Sequence, residues 1–252
     1  MSTEIVWITL VNHGYVPYVQ NFLRNIIARD IHFILNVYCT DELAYQELKN
    51  EPGCHCFHAN PFLRSPLETD MTEWNEEEYK RITFAKLDAI QYTLSNTERH
   101  VGYIDTDIIL FHNPEPIFME AIEQNPETDV FSQCDERGQE CSNPYCCPNM
   151  CTGVTVYRNN PDLLFLFHYT EEDIEKYTSD QEYLNCLCIY FDISTMTLPK
   201  SVVMNGCYFP EMKETKIDIQ ESCCLLHFNY MIGHEKKECM KLQNYWLIGT
   251  YD

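Results

Sequence analysis

Two aspartates separated by a single residue, Asp105 and Asp107, follow the apolar segment Val101–Ile104. Alternate residues of a β-strand share one face, so both carboxylates can reach one cation directly or through water. Carboxylate oxygens suit Mg²⁺ or Mn²⁺, and these ions also accept the oxygens of a diphosphate. The pair therefore indicates a metal site that binds a nucleotide or a related phosphorylated ligand. A helix cap or a turn that contains two aspartates is the alternative interpretation.

A second group of chemically capable residues follows another apolar segment further along the chain. His227 can complete a metal shell, and Gly233 permits a close approach of the backbone to a ligand. Lys236 and Lys237 offer positive charge for a diphosphate in a chain with 17 basic and 39 acidic residues. Taken alone, His227 is better explained as a hydrogen-bonded core histidine, and a solvated face is the alternative interpretation of the two lysines.

The net charge of the chain limits the classes of partner that it can bind. A formal charge of −22 repels nucleic acids and anionic membrane surfaces, whereas a bound divalent cation can reverse the sign locally for a small anionic substrate. No segment approaches the ~18 consecutive apolar residues of a membrane span, and no signal peptide is visible. We therefore expect a cytoplasmic protein with no membrane span and no nucleic-acid partner.

The 14 cysteines are expected to be mostly free thiols in that compartment. Five of them lie between Cys134 and Cys151, where a structural zinc site is conceivable, but the spacing does not give two Cys-x-x-Cys pairs. A loop of free thiols is the favoured interpretation. The cluster Cys54–His58 is discounted as a metal site in the same way.

Apolar segments and helical patterns alternate along the chain, which predicts an α/β fold around a mainly parallel sheet. The predicted strands are Ile5–Val11, Phe33–Cys39, His55–His58, Val101–Ile104 continued by Ile108–Phe111, Asp129–Gln133, Gly153–Tyr157, Ile193–Leu198 and Leu225–Phe228. The predicted helices are Tyr15–Ala28, Asp41–Lys49, Glu76–Leu94, Pro116–Asn125, Pro161–Tyr169 and Ser179–Cys188. With no internal repeat and no linker, residues 1–252 are expected to form one domain. We expect the C-terminal segment, residues 229–252, to close over the site.

The order of several short motifs resembles the nucleotide-diphospho-sugar transferase family, near glycosyltransferase family 77. The matching stretches span nearly the whole chain and are Thr9–Tyr15, Thr83–Lys86, Gly102–Asp107 through Asn113 and Pro114, Cys151–Val154, Ser179–Gln181 with Leu184 and Asn185, and His227–Asn229 through Gly233, Lys236 and Trp246. The resemblance implies a GT-A fold, with a Rossmann-like, mainly parallel sheet flanked by helices. Where this chain has Cys151, the family often has asparagine, which places a sugar contact there in doubt.

The resemblance also assigns expected roles to individual residues. Metal binding falls to Asp105, Asp107 and His227, with Thr106 between the acidic pair. Contacts to the nucleotide and its diphosphate fall to Thr9, Asn12, Lys86, Gly233 and Lys236, with Lys237 as the alternative register. The region of the transferred sugar is expected at Asp180, Gln181 and Asp135. Without the resemblance, Ser179 and Asp180 are equally compatible with an ordinary helix N-terminus.

The implied activity is a metal-dependent, retaining hexosyl- or pentosyltransferase. Its cofactor is expected to be Mn²⁺ or Mg²⁺, its donor a UDP-sugar, and its acceptor a glycan or glycoprotein. A sugar-1-phosphate nucleotidyltransferase is the first alternative, although the turn after the first strand, Asn12–Tyr15, lacks the basic glycine-rich loop of such enzymes. A non-catalytic nucleotide-sugar-binding module is the second alternative.

Overall fold

Two β-sheets carry the architecture of this computed structural model, which describes residues 4–72, 76–136, 149–210 and 218–249. The strands in this part of the chain are β1 (Ile5–Val11), β2 (Leu35–Cys39), β3 (Cys54–His58), β4 (His100–Ile104), β5 (Ile108–Leu110), β6 (Val130–Cys134), β7 (Met150–Tyr157), β8 (Thr195–Leu198), β9 (Val203–Asn205) and β10 (Leu225–His227). The helices are α1 (Val16–Ala28), α2 (Glu42–Leu48), α3 (Glu77–Ser95), α4 (Glu115–Gln124), α5 (Glu171–Lys176), α6 (Asp180–Tyr190), α7 (Ile219–Ser222) and α8 (Gly233–Leu242). Short 3₁₀ turns occupy His13–Tyr15 and Pro161–Phe167.

The main sheet has seven strands in the order β3-β2-β1-β4-β7-β6-β8. All neighbours pair in parallel except β7, which runs antiparallel to both β4 and β6. The central strands of this sheet are buried on both faces, so their sequences consist almost entirely of apolar residues, as in β1. The expectation of a mainly parallel sheet flanked by helices is confirmed.

Helices cover the main sheet on both faces and divide the core into two large clusters. On one face, α1 and α4 pack on Trp7, Val37 and Phe131. On the other face, α3 and α6 pack on Ile8 and Tyr103 and their neighbours. Side-chain caps begin two of the helices: Asp41 accepts the backbone N–H of Ala44 at the start of α2, and Ser179 accepts that of Glu182 at the start of α6.

The chain leaves the main sheet at the acidic pair, Asp105 and Asp107, and enters a second, smaller sheet. The sequence predicted that Ile108–Phe111 would continue the strand that ends at Ile104, and this prediction is wrong. Residues Ile108–Leu110 instead form β5, an edge strand of a small sheet with the order β5-β10-β9. Asp105–Asp107 is therefore the connection between the two sheets, so its side chains lie where the sheets meet.

Several thiols are also located by the structure. Free thiols in the described ranges include Cys39, Cys54, Cys56, Cys151, Cys186, Cys188, Cys207, Cys223 and Cys224. Cys141, Cys146 and Cys147 lie outside those ranges, and so does the question of zinc in that loop. The Cys54 and Cys56 sulfurs are 3.6 Å apart, and the His58 ring lies 3.8 Å from the Tyr45 ring, tilted by 31°. Within the described residues these side chains do not form a group with metal-ligand geometry.

Candidate functional site

The two sheets bring three candidate ligands together at the carboxyl end of β4. The backbone N–H of Asp105 donates to the Gly153 carbonyl at 2.7 Å, which anchors the start of the connection on β7. In the small sheet, β10 pairs with β5 so that His227 lies opposite Ile108, one residue after Asp107. Strand pairing thus juxtaposes residues that are more than a hundred positions apart.

These three residues form what we call the metal cluster: Asp105, Asp107 and His227. Their ligand atoms all lie within 4.8 Å of one another. His227 Nε2 is 3.2 Å from Asp107 Oδ1 and 3.8 Å from Asp105 Oδ2. Two carboxylates and an imidazole nitrogen form a donor set that suits Mn²⁺ and is compatible with Mg²⁺.

Gly153 leaves room for this arrangement. A β-carbon added at residue 153 would lie 2.3 Å from Asp105 Oδ2 and 2.5 Å from His227 Cε1. Both distances are well below van der Waals contact, so any side chain here would displace the two ligands. The metal cluster therefore explains why residue 153 of β7 is a glycine: the two ligands occupy the space that a side chain would need.

The His227 ring is oriented by Gln133 on β6. The Gln133 amide nitrogen donates to the Met204 carbonyl at 2.8 Å, which turns its oxygen toward His227 Nδ1, also at 2.8 Å. Because an amide oxygen only accepts hydrogen bonds, Nδ1 carries a proton, and Nε2 is the ring nitrogen that faces the two aspartates and would bind a metal ion. An outer hydrogen bond of this kind fixes the tautomer of many metal-binding histidines.

Each aspartate of the metal cluster also pairs with a lysine. Lys86 Nζ, on α3, lies 2.9 Å from Asp105 Oδ1, and Lys236 Nζ, on α8, lies 2.5 Å from Asp107 Oδ2. Burial would by itself raise the pKa of Asp107, but the charges of Lys236 and His227 hold it below its usual value. For Lys86 and Lys236 burial acts to lower the pKa, and the neighbouring aspartate outweighs it and raises the pKa of each lysine. The metal cluster and the two lysines therefore form a partly buried group of charges of both signs.

The site cavity extends from the metal cluster to a second group of carboxylates. Its volume is about 400 Å³, and Asp135, Asp180 and Gln181 lie along its wall. Asp180 is 2% exposed, and its Oδ2 atom has no hydrogen-bond partner among the described residues. Burial raises the pKa of Asp180, although Lys86 acts in the opposite direction.

Asp135 and Gln181 belong to one hydrogen-bonded network. Gln181 Nε2 donates to Asp135 Oδ2 at 2.9 Å, and Asn229 Nδ2 donates to Asp135 Oδ1 at 2.7 Å. The Tyr230 hydroxyl donates to the Asp135 carbonyl at 2.5 Å. The network links β6, α6 and the C-terminal segment, so these side chains are fixed relative to one another.

Some predicted residues do line the space beside the metal cluster, and others do not. Thr9 and Thr106 border a contiguous pocket, and Gly233 borders the site cavity with a left-handed φ of 50°. Asn12, in contrast, is buried and donates to the carbonyls of Glu68 and Asp70, so it holds a loop in place.

Lys237 is also directed elsewhere, since its ammonium lies 4.7 Å from the centre of the Trp246 ring. Of the two lysine registers that the sequence left open, the structure places Lys236 against the metal cluster. The alternative, Lys237, contacts the C-terminal segment instead.

Aromatic residues of the pocket were missed by the sequence reasoning. Tyr79 on α3 borders both the pocket and the site cavity, and burial raises its pKa to about 12. Tyr15 and Tyr18 of the first turn and α1 border the same pocket. The sequence could have indicated Tyr79, because it precedes Lys86 by seven residues and so lies two turns away on the same face of the predicted helix.

Comparisons with known proteins identify the family and the fold of this chain. A family model for nucleotide-diphospho-sugar transferases matches residues 31–240. Among solved structures, the glycosyltransferase GlyE of Streptococcus pneumoniae TIGR4 superimposes with a TM-score of 0.59 at 13% identity, over 98% of this chain and 61% of its own. This chain therefore spans about three fifths of the length of GlyE.

Two further structures have the same fold. The galactosyltransferase LgtC, solved with donor and acceptor sugar analogs, gives a TM-score of 0.54 at 15% identity, covering 88% of this chain and 86% of its own. Mouse xyloside xylosyltransferase 1 gives 0.51 at 11% identity, covering 88% and 97%. No curated protein sequence matches this chain. The described residues contain no helix both long and apolar enough to cross a membrane.

Proposed function

Since this chain belongs to the nucleotide-diphospho-sugar transferase family, we propose that it is a metal-dependent glycosyltransferase. It moves a sugar from a nucleotide-diphosphate donor, with UDP as the nucleotide, to an acceptor glycan or protein. The observation that carries the proposal is the metal cluster between Lys86 and Lys236, on the wall of a cavity of about 400 Å³.

The donor diphosphate needs its negative charge offset before it can leave. A divalent ion held by Asp105, Asp107 and His227 would supply Lewis-acid stabilisation of the departing phosphate. Lys236 and Lys86 add two positive charges at the same place, in a region where burial strengthens electrostatic interactions. The sequence-based expectation for Lys236, a diphosphate contact, is therefore kept as part of the proposal.

The nucleotide is assigned to the pocket beside the metal cluster. Thr9, Tyr15 and Tyr18 line that pocket, and the ring of Tyr15, which is only partly buried, can pack on a base. The choice of UDP rests on the family resemblance.

The transferred sugar is assigned to the cavity wall formed by Asp135, Asp180 and Gln181. A retaining transfer can use a carboxylate nucleophile or attack from the face of the leaving group. Asp180 is the candidate for the first route, because its buried Oδ2 is without a partner in the described structure. In the second route the leaving phosphate accepts the acceptor proton, and Asp180 stabilises positive charge that develops on the sugar.

The C-terminal segment is proposed to close over the donor. At one end Lys236 contacts Asp107, and at the other the Tyr245 carbonyl accepts hydrogen bonds from the buried Asn21 and Asn25 side chains on α1. This second anchor predicts that closure is confined to the part before α8 and its first turn. Hydrogen exchange with and without UDP and Mn²⁺ should therefore change protection near residues 230–237 and leave residues 240–247 unchanged.

A donor screen tests the proposed function. UDP- and GDP-sugars are incubated with the protein in Mn²⁺, and release of the nucleotide diphosphate is measured, with chelator as the control. Metal-dependent cleavage of a UDP-sugar is the expected result. Equal release in excess chelator would exclude metal dependence, and stabilisation by GDP but not UDP in a thermal-shift assay would exclude the nucleotide assignment. Saturable donor binding without cleavage, alone or with acceptors, would indicate a binding module.

A further inference from the structure

The two oxygens of the Asp107 carboxylate face different partners. Oδ1 lies 3.2 Å from His227 Nε2, on the side where the metal cluster would hold an ion, and Oδ2 lies 2.5 Å from Lys236 Nζ. Only 11% of the Asp107 side chain and 22% of the Lys236 side chain are exposed, so water screens their charges weakly. A divalent ion bound to Asp107 would therefore lie beside the Lys236 ammonium, and the two positive charges would repel each other.

Lys86 forms a similar ion pair but is held more firmly. Its Nζ atom lies 2.9 and 3.2 Å from the two oxygens of Asp105 and 5.2 Å from the centre of the Tyr103 ring. Lys86 belongs to α3, a helix of 19 residues that packs on the main sheet. We therefore expect Lys86 to stay on Asp105 when an ion binds.

Lys236 lies in the first turn of α8, which is attached to the core less firmly. The buried residue of this helix, Met240, lies in its last turn. In the first turn, the Tyr18 hydroxyl donates a long hydrogen bond of 3.5 Å to the Gly233 carbonyl. Gly233 has a left-handed φ of 50°, which a residue without a β-carbon adopts at little cost. The first turn can therefore move while Met240 keeps the last turn in place.

We propose that Lys236 is an exchangeable counter-ion that couples metal binding to donor binding. It pairs with Asp107 before the ion binds, leaves that carboxylate when the ion takes it, and then pairs with the donor diphosphate. Lys236 can reach both partners because it borders the pocket and the site cavity. The last step, contact with the donor, rests on the proposed function, whereas the competition between Lys236 and the ion does not.

This exchange gives Lys236 opposite effects on the two ligands. Without nucleotide, its ammonium competes with the ion for Asp107 and weakens metal binding. With nucleotide, the same ammonium contacts the diphosphate, which the ion also binds, so it strengthens the complex. A lysine fixed on Asp107 would oppose the ion in both conditions. The sign of the effect therefore separates the exchange from a general effect of charge.

Mn²⁺ titrations followed by electron paramagnetic resonance test the competition in the wild type, Lys236→Met and Lys237→Met, all without nucleotide. Lys236→Met should bind Mn²⁺ about fivefold more tightly or better, from the lower end of the usual range of coupling between two sites. Lys237→Met removes the same charge from a position over the Trp246 ring and should bind Mn²⁺ like the wild type.

Isothermal titration with UDP, with and without saturating Mn²⁺, measures the coupling. Because coupling is reciprocal, the factor by which Mn²⁺ tightens UDP binding equals the factor by which UDP tightens Mn²⁺ binding. That factor should be smaller in Lys236→Met than in the wild type, again by about fivefold or more, and unchanged in Lys237→Met.

Hydrogen exchange of the wild type gives a readout that needs no variant. Mn²⁺ alone should lower the protection of amides in residues 233–237, because Lys236 leaves Asp107, and Mn²⁺ with UDP should raise it again. Unchanged Mn²⁺ affinity in Lys236→Met, an equal gain in Lys237→Met, or protection that Mn²⁺ alone does not lower would overturn the proposal. If UDP-sugars are not cleaved but Lys236→Met binds Mn²⁺ more tightly, the proposed function fails and the competition for Asp107 stands.

Discussion

The two edges of the main sheet carry charge in opposite ways. At the carboxyl edge, Asp105 and Asp107 are each held by a lysine within 3 Å, and His227 lies between them with 3% of its side chain exposed. At the amino edge, Arg99 and its neighbours stand at the rim of a cavity with an apolar floor. Removing one member of a buried pair leaves an uncompensated charge, whereas removing a rim charge loses only a screened contact. Substitutions at the carboxyl edge should therefore have much larger effects.

The largest effect is expected for Asp107→Asn. It removes a metal ligand and leaves Lys236 buried without its closest negative charge, so donor cleavage should be abolished. Breaking a buried ion pair costs about 3–5 kcal/mol, which chemical denaturation would detect as lost stability. The double variant Asp107→Asn, Lys236→Met should recover stability but not cleavage. Full cleavage by Asp107→Asn would show that the metal cluster is not catalytic.

Gly153→Ala tests the geometry of the metal cluster without changing a charge. The added methyl group would meet Asp105 Oδ2 at 2.3 Å and must move that ligand or His227. We expect Mn²⁺ binding, measured by the loss of free-ion signal in electron paramagnetic resonance, to fall sharply while the circular dichroism spectrum is retained. Gly249→Ala, which adds a methyl group where no atom lies within 4 Å, is the control for glycine replacement, although its φ of 71° adds local strain. Wild-type Mn²⁺ affinity in Gly153→Ala would contradict the ligand set.

Lys236 and Lys237 provide a matched pair of adjacent lysines. Lys236→Ala removes a charge beside Asp107, and loss of its proposed contact to the donor diphosphate should weaken UDP binding by about 1.5–3 kcal/mol. Lys237→Ala removes the same charge from a position over the Trp246 ring and should have a smaller effect on UDP binding. Isothermal titration with UDP in Mn²⁺ measures both. Equal losses in the two variants would indicate a general charge effect.

Gln133→Leu should give the smallest change of this series. It leaves all three metal ligands in place but removes the acceptor that orients His227 Nδ1. Outer hydrogen bonds of this type typically contribute about 10–100-fold to metal affinity. Mn²⁺ titration of Gln133→Leu beside Gln133→Glu, which keeps the acceptor, separates orientation from packing. If both variants bind like the wild type, the hydrogen bond does not tune the metal cluster.

The sequence predicted the parts of the site that local spacing determines. An apolar strand followed by Asp105 and Asp107, and another followed by His227, identified residues that the structure brings together. The choice between Lys236 and Lys237 depends on the phase of α8 relative to the small sheet, which a single sequence does not define. Asn12 was expected beside the nucleotide, but the carbonyls of Glu68 and Asp70 bind its side chain.

The fold was predicted best where the elements are long. Strand β1 has the predicted bounds, and α1 and α3 agree with the prediction to within one residue at each end. The prediction that the strand ending at Ile104 continues from Ile108 was wrong. Three apolar residues fit either sheet, and it is their pairing with β10 that places them in the small sheet. Strand β9, Val203–Asn205, was missed because three residues are too few to show a period. Gln133 was missed as an orienting residue because its partner is 94 positions away.

We propose that Asp105, Asp107 and His227 together hold the ion that contacts the donor diphosphate. Anomalous diffraction from crystals grown with Mn²⁺ and UDP tests it most directly. We expect a manganese peak in contact with all three side chains and with the diphosphate oxygens. Bound UDP with no manganese at these residues, or manganese held at another place, would contradict it.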